Sequence, residues 1–300
     1  MILVTADVGG SKTAVAITDN GRRLFELTGL GAAVRPGRTM SAASTIADLV
    51  RKALAQTGRI RADGLVVGAA GASRASDAEE VRAVLARERI ADRVMVVSDV
   101  ALALEALGSP AGVVLVAGTG AIALGRTPAG TVFRQGGYGW QMGDEGGGYW
   151  IGQAALRAVG LAHDGRGPAT ALGPALLAAV NAAEFRDLVG WTTVASPREV
   201  AVLARAVVDA AAAGDRIAAG ILDQAADLLA GLLAPLTTAF PAGPIVLGFC
   251  GGLLSGPSPI AERLRARLDA RYAALPGAID PLVGGPAMMG GGGPDRRIGG

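Results

Sequence analysis

Cysteine, histidine and lysine are nearly absent from this chain of 300 residues. It has one cysteine, Cys250, one histidine, His163, and two lysines, Lys12 and Lys52. A single cysteine excludes an intramolecular disulfide, and it excludes a zinc or iron–sulfur site built from several cysteines of one chain. This usage is typical of a reducing, cytoplasmic setting. A single histidine leaves little for Ser-His-Asp or Cys-His catalysis.

The charge is also small, with a formal net value of +2 from 28 basic and 26 acidic residues. No block of Lys and Arg would follow a phosphate backbone, so we expect neither nucleic acid nor a membrane as a partner. The first residues lack the basic and apolar regions of a signal peptide. Charged or Gly residues interrupt the Ala-rich runs before they reach the roughly 18 residues that a membrane span needs. Hydrophobic residues make up 51% of the chain, enough for a sizeable core.

What the sequence does contain is an internal repeat. Leu3–Phe25 and Val114–Phe133 each read as a short apolar strand, a Gly-rich turn, a second strand, a turn ending in Gly and a third strand. Two ordinary hairpins would give a similar pattern, but the spacing matches over some twenty residues. An α/β alternation follows each meander. The sequence therefore predicts two related α/β domains, 1–110 and 111–280, facing each other across a cleft that binds ligands.

Hydrophobic periodicity and turn residues predict the remaining elements. In the first half we expect helices over 40–57, 76–89 and 99–107, and strands over 65–70 and 94–97. In the second half we expect helices over 147–159, 169–183, 197–213, 215–239 and 257–273, and a strand over 243–249. The Gly-rich tail 290–300 is expected to be mobile.

The first Gly-rich turn follows Asp7 and reads Gly9-Gly10-Ser11-Lys12-Thr13. Successive backbone N–H groups in such a turn can converge on a phosphate oxygen, and the side chains of its last three residues add two hydroxyls and a positive charge. Asp7 stands at a strand end, where a carboxylate can hold Mg²⁺ directly or through water. The segment is not a Walker A motif, and taken alone it is equally typical of an ordinary hairpin.

The second repeat has an equivalent turn, Gly118-Thr119-Gly120, flanked by small Ala residues that leave room for a ligand near the backbone. A hairpin is again the alternative. Two such turns, one per domain and facing one cleft, would grip the phosphates of one nucleotide.

Asp99 follows the buried run 94–97, at the C-terminal end of a predicted strand, where active-site residues of α/β folds usually stand. A carboxylate there can accept the proton of a hydroxyl that receives a phosphoryl group. The local pattern favours a second interpretation, in which Asp99 is the N-cap of the following helix. Both roles can coexist.

The segment 136–150 is the most distinctive, with seven glycines, two tryptophans and two tyrosines around Asp144-Glu145. Aromatic faces beside carboxylates suit sugar recognition, because the ring packs on C–H groups while the carboxylate accepts from hydroxyls. A flexible loop followed by helix capping is the alternative, but it leaves Trp140 unexplained. The strand end at Gly251-Gly252 could let a base or ribose approach the backbone; taken alone, it is more typical of a strand-to-helix turn.

The ordered motifs DVGGSKT (7–13), GAAG (68–71), SDV (98–100), GTG (118–120), GWQMGDEGGGYWIG (139–152) and FCGG (249–252) resemble the BadF/BadG/BcrA/BcrD ATPase family, and within it the N-acetylglucosamine and glucosamine kinases. The resemblance covers residues 2–290. It implies the two-domain actin-like (ribonuclease H-like) fold, ATP and Mg²⁺ as cofactors, and phosphoryl transfer to the 6-hydroxyl of an amino sugar. It also implies a homodimer and a last helix, about 281–292, that returns to the first domain.

The resemblance assigns roles to individual positions. Asp7 is associated with Mg²⁺, and Asp99 is the base that accepts the 6-hydroxyl proton and contacts the sugar. Phosphates and nucleotide are bound by Gly9, Gly10, Ser11, Lys12, Thr13, Gly118, Thr119, Gly120, Gly251 and Gly252. The sugar is bound by Gly71, Thr119, Gly139, Trp140 and Asp144 together with Asp99.

One departure from the family leaves the sugar open. Residues 29–34 lack the Asn that often binds sugar hydroxyls there, and a missing partner can shift specificity greatly. N-acetylglucosamine is the first expectation, and glucosamine or another hexose derivative is the alternative. Iron–sulfur activator ATPases of the same superfamily need more cysteines than this chain has. A non-catalytic sugar or nucleotide sensor remains the alternative from another class.

Overall fold

The computed structural model describes residues 1–35 and 37–290, whose strands form two five-stranded sheets. The first sheet contains β1 (Ile2–Val8), β2 (Lys12–Asp19), β3 (Arg22–Leu30), β4 (Ala62–Ala69) and β5 (Ala91–Val97), in the order β3-β2-β1-β4-β5. The second contains β6 (Gly112–Ala117), β7 (Ala121–Arg126), β8 (Val132–Gly136), β9 (Ile245–Cys250) and β10 (Tyr272–Ala278), in the order β8-β7-β6-β9-β10. The two orders are the same, which confirms the predicted duplication of a meander followed by α/β units.

The α-helices of the described residues are α1 (Thr39–Gln56), α2 (Ala75–Arg87), α3 (Asp99–Glu105), α4 (Gly148–His163), α5 (Leu172–Val180), α6 (Phe185–Val194), α7 (Pro197–Val202), α8 (Ala204–Ala212), α9 (Arg216–Leu233), α10 (Pro259–Arg265) and α11 (Gly284–Gly290). Two 3₁₀ helices cover Ala234–Ala239 and Pro281–Val283. The chain divides into two compact units. Unit 1 is Met1–Val114 with Ala129–Phe133 and the residues from Ile279 onward; unit 2 is Leu115–Pro128 with Arg134–Ala278. The tail 290–300 was predicted to be mobile, and all of it after Gly290 lies outside the described residues.

Unit 1 places its sheet between two pairs of helices. β1 and β2 are antiparallel, and β1, β4 and β5 run parallel, so the carboxyl ends of these three strands share one edge. Helices α1 and α2 cover one face, where Val15, Ile46 and Leu65 are fully buried. Helices α3 and α11 cover the other face. The edge of the sheet therefore gathers the residues that follow β1, β4 and β5.

Unit 2 is richer in helix, and α9 packs against β7, α8 and α10. Arg216–Ala239 is the one stretch of the described residues that is long and apolar enough to cross a membrane by length and composition. Leu222, Ala225 and Leu229 of this stretch are fully buried within the protein. One side of the stretch therefore packs in the core of unit 2, with 39% of its most apolar window buried.

Several predicted elements were wrong in their limits. The helix expected over 257–273 ends at Arg265, and β10 follows because residues from Tyr272 pair in parallel with β9. The helix expected over 197–213 is interrupted at Leu203, between α7 and α8. The sequence analysis missed α6. Helix propensity is a weak prior when pairing with a neighbouring strand or packing decides the outcome.

Candidate active-site elements

In unit 1, the turn after β1 is held by its own backbone. The Gly9 N–H donates to the Lys12 carbonyl at 2.9 Å, which closes the hairpin between β1 and β2. A Cβ on Gly31 would lie 2.3 Å from the Gly10 carbonyl oxygen, so the end of β3 packs directly on the turn. A Cβ on Gly10 would meet nothing within 4 Å. The turn therefore combines a fixed backbone with open space, as a phosphate-binding turn requires.

Asp7 lies on β1, opposite Ala14 of β2 and beside Gly68 of β4. Burial raises the pKa of its carboxyl group to about 7, and the negative charge of Asp99 adds to the rise. Lys12 acts in the opposite direction, and Asp280 raises the pKa slightly further. The negative charge of Asp7 is therefore disfavoured unless a proton or a cation accompanies it.

This arrangement fits Mg²⁺, which usually takes one or two protein carboxylates and completes its shell with phosphate and water oxygens. The described residues contain no group of three or more His, Cys, Asp or Glu side chains that could hold a metal alone. Asp7 would hold the ion together with phosphate oxygens, and the positive charge would offset the repulsion between the nearby carboxylates.

Asp99 is the first residue of α3, immediately after β5, and it is half-buried. Its carboxylate accepts from the N–H of Val100 at 3.0 Å. The N-cap is Ser98, whose hydroxyl accepts from the Ala101 N–H at 3.2 Å. The interpretation of Asp99 as the N-cap was therefore wrong, and the carboxylate stands near Asp7 at the strand-end edge of the sheet.

Two other predicted site residues of unit 1, Thr13 and Gly71, pack closely against their neighbours. Thr13 is fully buried, and its hydroxyl has no hydrogen-bond partner. Its side chain is not available to a phosphate in this conformation, whereas Gly10, Ser11 and Lys12 of the turn are exposed. Gly71 has φ +86°, and a Cβ there would lie 2.0 Å from the Val34 carbonyl oxygen.

In unit 2, the turn Gly118–Gly120 is fixed by the start of α4. The Gly148 N–H donates to the Gly118 carbonyl at 2.8 Å, and the Tyr149 N–H donates to the Thr119 carbonyl at 2.9 Å. A Cβ on Gly118 would meet nothing within 4 Å. The turn therefore has a held backbone and an open approach, like the corresponding turn of unit 1.

Asp144 connects this turn with the Gly-rich loop. Its carboxylate accepts from the backbone N–H groups of Ala121 and Gly139, and a Cβ on Gly120 would lie 2.2 Å from one of its oxygens. Its backbone is left-handed, with φ +63°. Burial raises the pKa of Asp144, and these hydrogen bonds oppose the rise. Asp144 therefore joins the Gly-rich loop to the end of the turn 118–120 through its hydrogen bonds. This structural role does not depend on a contact with a sugar.

Trp140 presents an exposed aromatic surface on that loop, with 46% of its area accessible. Its ring lies 5.2 Å from the ring of Tyr149, measured between centroids and tilted by 55°. At the end of β9, Gly251 has φ +91° and packs on the Ala117 carbonyl oxygen, whereas a Cβ on Gly252 would meet nothing within 4 Å. A ligand could therefore approach the backbone at Gly252.

The structure thus assembles two sets of predicted site residues. Unit 1 brings together Asp7, the turn 9–13 and Asp99, and unit 2 brings together the turn 118–120, Asp144 and Gly251. The sequence analysis missed Asp280, whose charge acts on Asp7. Its position before a proline indicates the cap of a helix, and nothing in the local sequence relates it to Asp7. The sequence analysis also missed the contact of Tyr149 with Trp140. Trp140 lies in an irregular loop before α4, so no helical or strand periodicity relates the two positions.

Two sheets of identical strand order, each with a glycine turn at its first hairpin, define the actin-like ATPase class. In three dimensions the chain resembles a protein provisionally assigned as an N-acetylglucosamine kinase from Chromobacterium violaceum, with a TM-score of 0.79, 24% identity and coverage of 96% of this chain and 98% of that chain. It also resembles a ROK family glucokinase from Streptomyces griseus solved with glucose and AMPPNP, with a TM-score of 0.63, 16% identity and coverage of 96% and 99%. These likenesses confirm the predicted fold.

The chain belongs to the BadF/BadG/BcrA/BcrD ATPase family, whose model matches residues 6–282. It is 27% identical over 278 residues to the N-acetylmuramic acid/N-acetylglucosamine kinase of Clostridium acetobutylicum, covering 90% of this chain and 91% of that protein. It is 38% identical over 137 residues to the N-acetyl-D-glucosamine kinase of Dictyostelium discoideum, covering 45% of this chain and 43% of that protein. The predicted family is therefore confirmed.

Proposed function

We propose that this protein is an ATP-dependent sugar kinase that transfers the γ-phosphoryl group of ATP to the 6-hydroxyl of an amino sugar, with N-acetylglucosamine as the first candidate. The observation that carries the proposal is the pair of Asp7 and Asp99 beside a glycine turn in unit 1, which supplies a cation-binding carboxylate and a base. The two similar kinases named above support the choice of an amino sugar.

In this proposal, the Asp99 carboxylate accepts the proton of the sugar hydroxyl as its oxygen bonds to the γ-phosphorus. The bond to the bridging oxygen breaks, and ADP leaves with the electron pair. Backbone N–H groups of the turns 9–13 and 118–120 bind phosphates, and Gly251-Gly252 contacts the adenosine. Mg²⁺ held at Asp7 would neutralise phosphate charge. Trp140 contacts the sugar, with Gly71, Thr119, Gly139 and Asp144 as the other predicted sugar-binding residues.

The identity of the sugar rests on the segment after β3. Residues 29–34 contain no Asn, and the Val34 N–H donates to the Ala70 carbonyl at 2.8 Å, so this backbone is fixed without a side-chain amide. Glucosamine is the second candidate, because loss of one hydroxyl partner changes discrimination among similar sugars. N-acetylmuramic acid is a third, since the Clostridium acetobutylicum relative is named for it.

The experiment is a coupled ADP-release assay with N-acetylglucosamine, glucosamine, N-acetylmuramic acid, N-acetylmannosamine and glucose, with and without Mg²⁺. We expect Mg²⁺-dependent turnover that is fastest with one of the first two sugars. A protein that binds sugar by calorimetry but releases no ADP with any sugar would instead be a non-catalytic sensor. We place the enzyme in the cytoplasm as a homodimer; sedimentation near 30 kDa, the mass of one 29.8-kDa chain, would contradict the dimer.

A further inference from the structure

Tyr149, the second residue of α4, contacts two parts of the proposed site at once. Its backbone N–H donates to the Thr119 carbonyl at 2.9 Å, within the turn 118–120. Its ring lies 5.2 Å from the Trp140 ring, in the tilted geometry that aromatic pairs favour. No role was predicted for Tyr149 from the sequence, yet it touches both the proposed phosphate turn and the proposed sugar surface.

The loop that carries Trp140 needs such support. Gly137, Gly139 and Gly146 have left-handed backbones, with φ +70°, +89° and +77°. Hydrogen bonds at Gly139 hold the loop backbone, with the Asp144 carboxylate and the N–H groups of Met142 and Gly143 as partners, but they do not set the direction of the indole ring. The Tyr149 ring belongs to a helix, and it therefore offers Trp140 a rigid neighbour.

The Tyr149 hydroxyl is fixed by a hydrogen bond within α4. It accepts from the Gln153 side-chain amide at 3.2 Å, one helical turn further along α4. Tyr149 also lines an open cavity of about 350 Å³, together with residues that include Gln153 and Phe185. Because part of the surroundings of Tyr149 is a cavity, we expect a smaller side chain at this position to leave the remaining packing in place.

We propose that Tyr149 is a positioning residue for sugar recognition, acting by holding the Trp140 ring at a fixed place relative to the turn 118–120. The inference rests on the proposed function. It predicts an effect on sugar binding and little effect on nucleotide binding, because the Tyr149 backbone contact with Thr119 does not depend on its side chain.

The test compares Tyr149→Phe and Tyr149→Leu with the wild type in steady-state kinetics. We expect Y149L to raise the KM for the sugar about tenfold, the effect of an aromatic contact of ordinary strength. The KM for ATP and kcat should stay within about twofold. Y149F keeps the ring and should raise the sugar KM by less than about threefold, and Gln153→Leu should match it because both remove the same hydrogen bond.

Phe185→Leu is the matched control, because Phe185 lines the same cavity and its ring stacks on His163, with 3.8 Å between centroids. We expect F185L to leave the sugar KM unchanged. An equal rise of the sugar KM in F185L and Y149L would overturn the proposal, because it would place the effect in the cavity. So would a fall in kcat with no change in the sugar KM.

A second readout needs no turnover. In a Trp150→Phe/Trp191→Phe background, Trp140 is the sole tryptophan, and its emission reports the order of its ring. We expect Y149L to shift this emission to longer wavelength and Y149F to leave it unchanged; identical spectra would overturn the proposal. Absence of turnover in the wild type would defeat the proposed function, whereas the spectra would still decide whether Tyr149 orders Trp140.

Discussion

Asp7 carries a carboxylate at a place where burial and two neighbouring carboxylates disfavour its charge. Burial is the main cause of its raised pKa of about 7, followed by the charge of Asp99. With this pKa, the carboxyl group is about half protonated at pH 7 in the ligand-free protein, and a bound cation would displace the proton. If Asp7 holds Mg²⁺ as proposed, stability and Mg²⁺ binding are linked through this one side chain.

The first prediction concerns stability against pH. The pKa of Asp7 is above its usual 3.8, so its stabilising contribution is complete below about pH 4 and is lost as pH rises through 7. Asp7→Asn removes the ionisable group, so the loss of stability between pH 4 and pH 8 that comes from Asp7 does not occur in the variant. Without Mg²⁺, we expect D7N to be more stable than the wild type at pH 8 by about 1–3 kcal/mol, and to gain much less at pH 5.

Urea unfolding in EDTA at both pH values measures this difference. Asp63→Asn is a poor control because Asp63 accepts from the Ile2 N–H, whereas Asp77, a half-buried residue in the first turn of α2, serves as Asp77→Asn. Parallel pH profiles for D7N and the wild type would contradict the raised pKa.

The second prediction compares two glycines of one turn. Gly118→Ala places a methyl group in open space, whereas Gly120→Ala places it 2.2 Å from an Asp144 oxygen. We expect G118A to keep its melting temperature within about 2 °C but to raise the KM for ATP at least about tenfold. G120A should lower the free energy of unfolding by about 1–3 kcal/mol.

Thermal unfolding and ATP kinetics of both variants check these values. A G118A enzyme with the wild-type KM for ATP would mean that phosphate does not approach this backbone. Equal stability of G120A and the wild type would mean that the Asp144 loop moves freely away from the turn.

At the scale of elements, two helices pack against the parts of the chain that carry predicted site residues. The first backbone N–H groups of α4 hold the turn 118–120, and α11 lies against β1, which carries Asp7. Gly285 allows the close approach of α11 to β1, and Gly284 allows its close approach to α3. A Cβ on Gly284 would lie 2.3 Å from the Leu102 carbonyl oxygen, and one on Gly285 would lie 1.9 Å from the Thr5 hydroxyl oxygen.

The third prediction follows from this packing. Gly285→Ala should lower the free energy of unfolding by about 1–3 kcal/mol, because the added methyl group overlaps a buried side chain. Gly290→Ala is the control, since a Cβ there would meet nothing within 4 Å. Chemical denaturation measures both, and a G285A protein as stable as G290A would show that α11 does not pack closely on β1.

Elements with a strong local signal could be predicted from the sequence. The strand β5 and the helix α1 came within a few residues of their observed limits, because an apolar run or a helical period marks each of them. The expectation that residues 94–97 are buried was wrong, because β5 is an edge strand and these residues are half-buried. β10 could not be predicted, since its conformation depends on pairing with β9. Asp280 lies far from Asp7 in the sequence, so only the fold brings its charge near that carboxylate.

At the scale of the whole molecule, duplication explains why each unit has a glycine turn at its first hairpin. The repeat could be recognised from the sequence because turn spacing survived in both copies. The side chains differ between the units: unit 1 has the carboxylates Asp7 and Asp99, and unit 2 has the aromatic loop with Trp140. Specificity for one sugar depends on side-chain contacts that strand patterns do not encode.

The central claim is that the Asp99 carboxylate accepts the proton of the sugar hydroxyl. Asp99→Asn keeps the size of the side chain and an oxygen for the Val100 N–H, but it removes the base. The decisive measurement is sugar-dependent ADP release by D99N beside its Mg²⁺-ATP binding by calorimetry. We predict that kcat falls by about 10²–10⁴ while the Kd for ATP stays within about threefold. A D99N enzyme that phosphorylates the sugar at the wild-type rate would contradict the account.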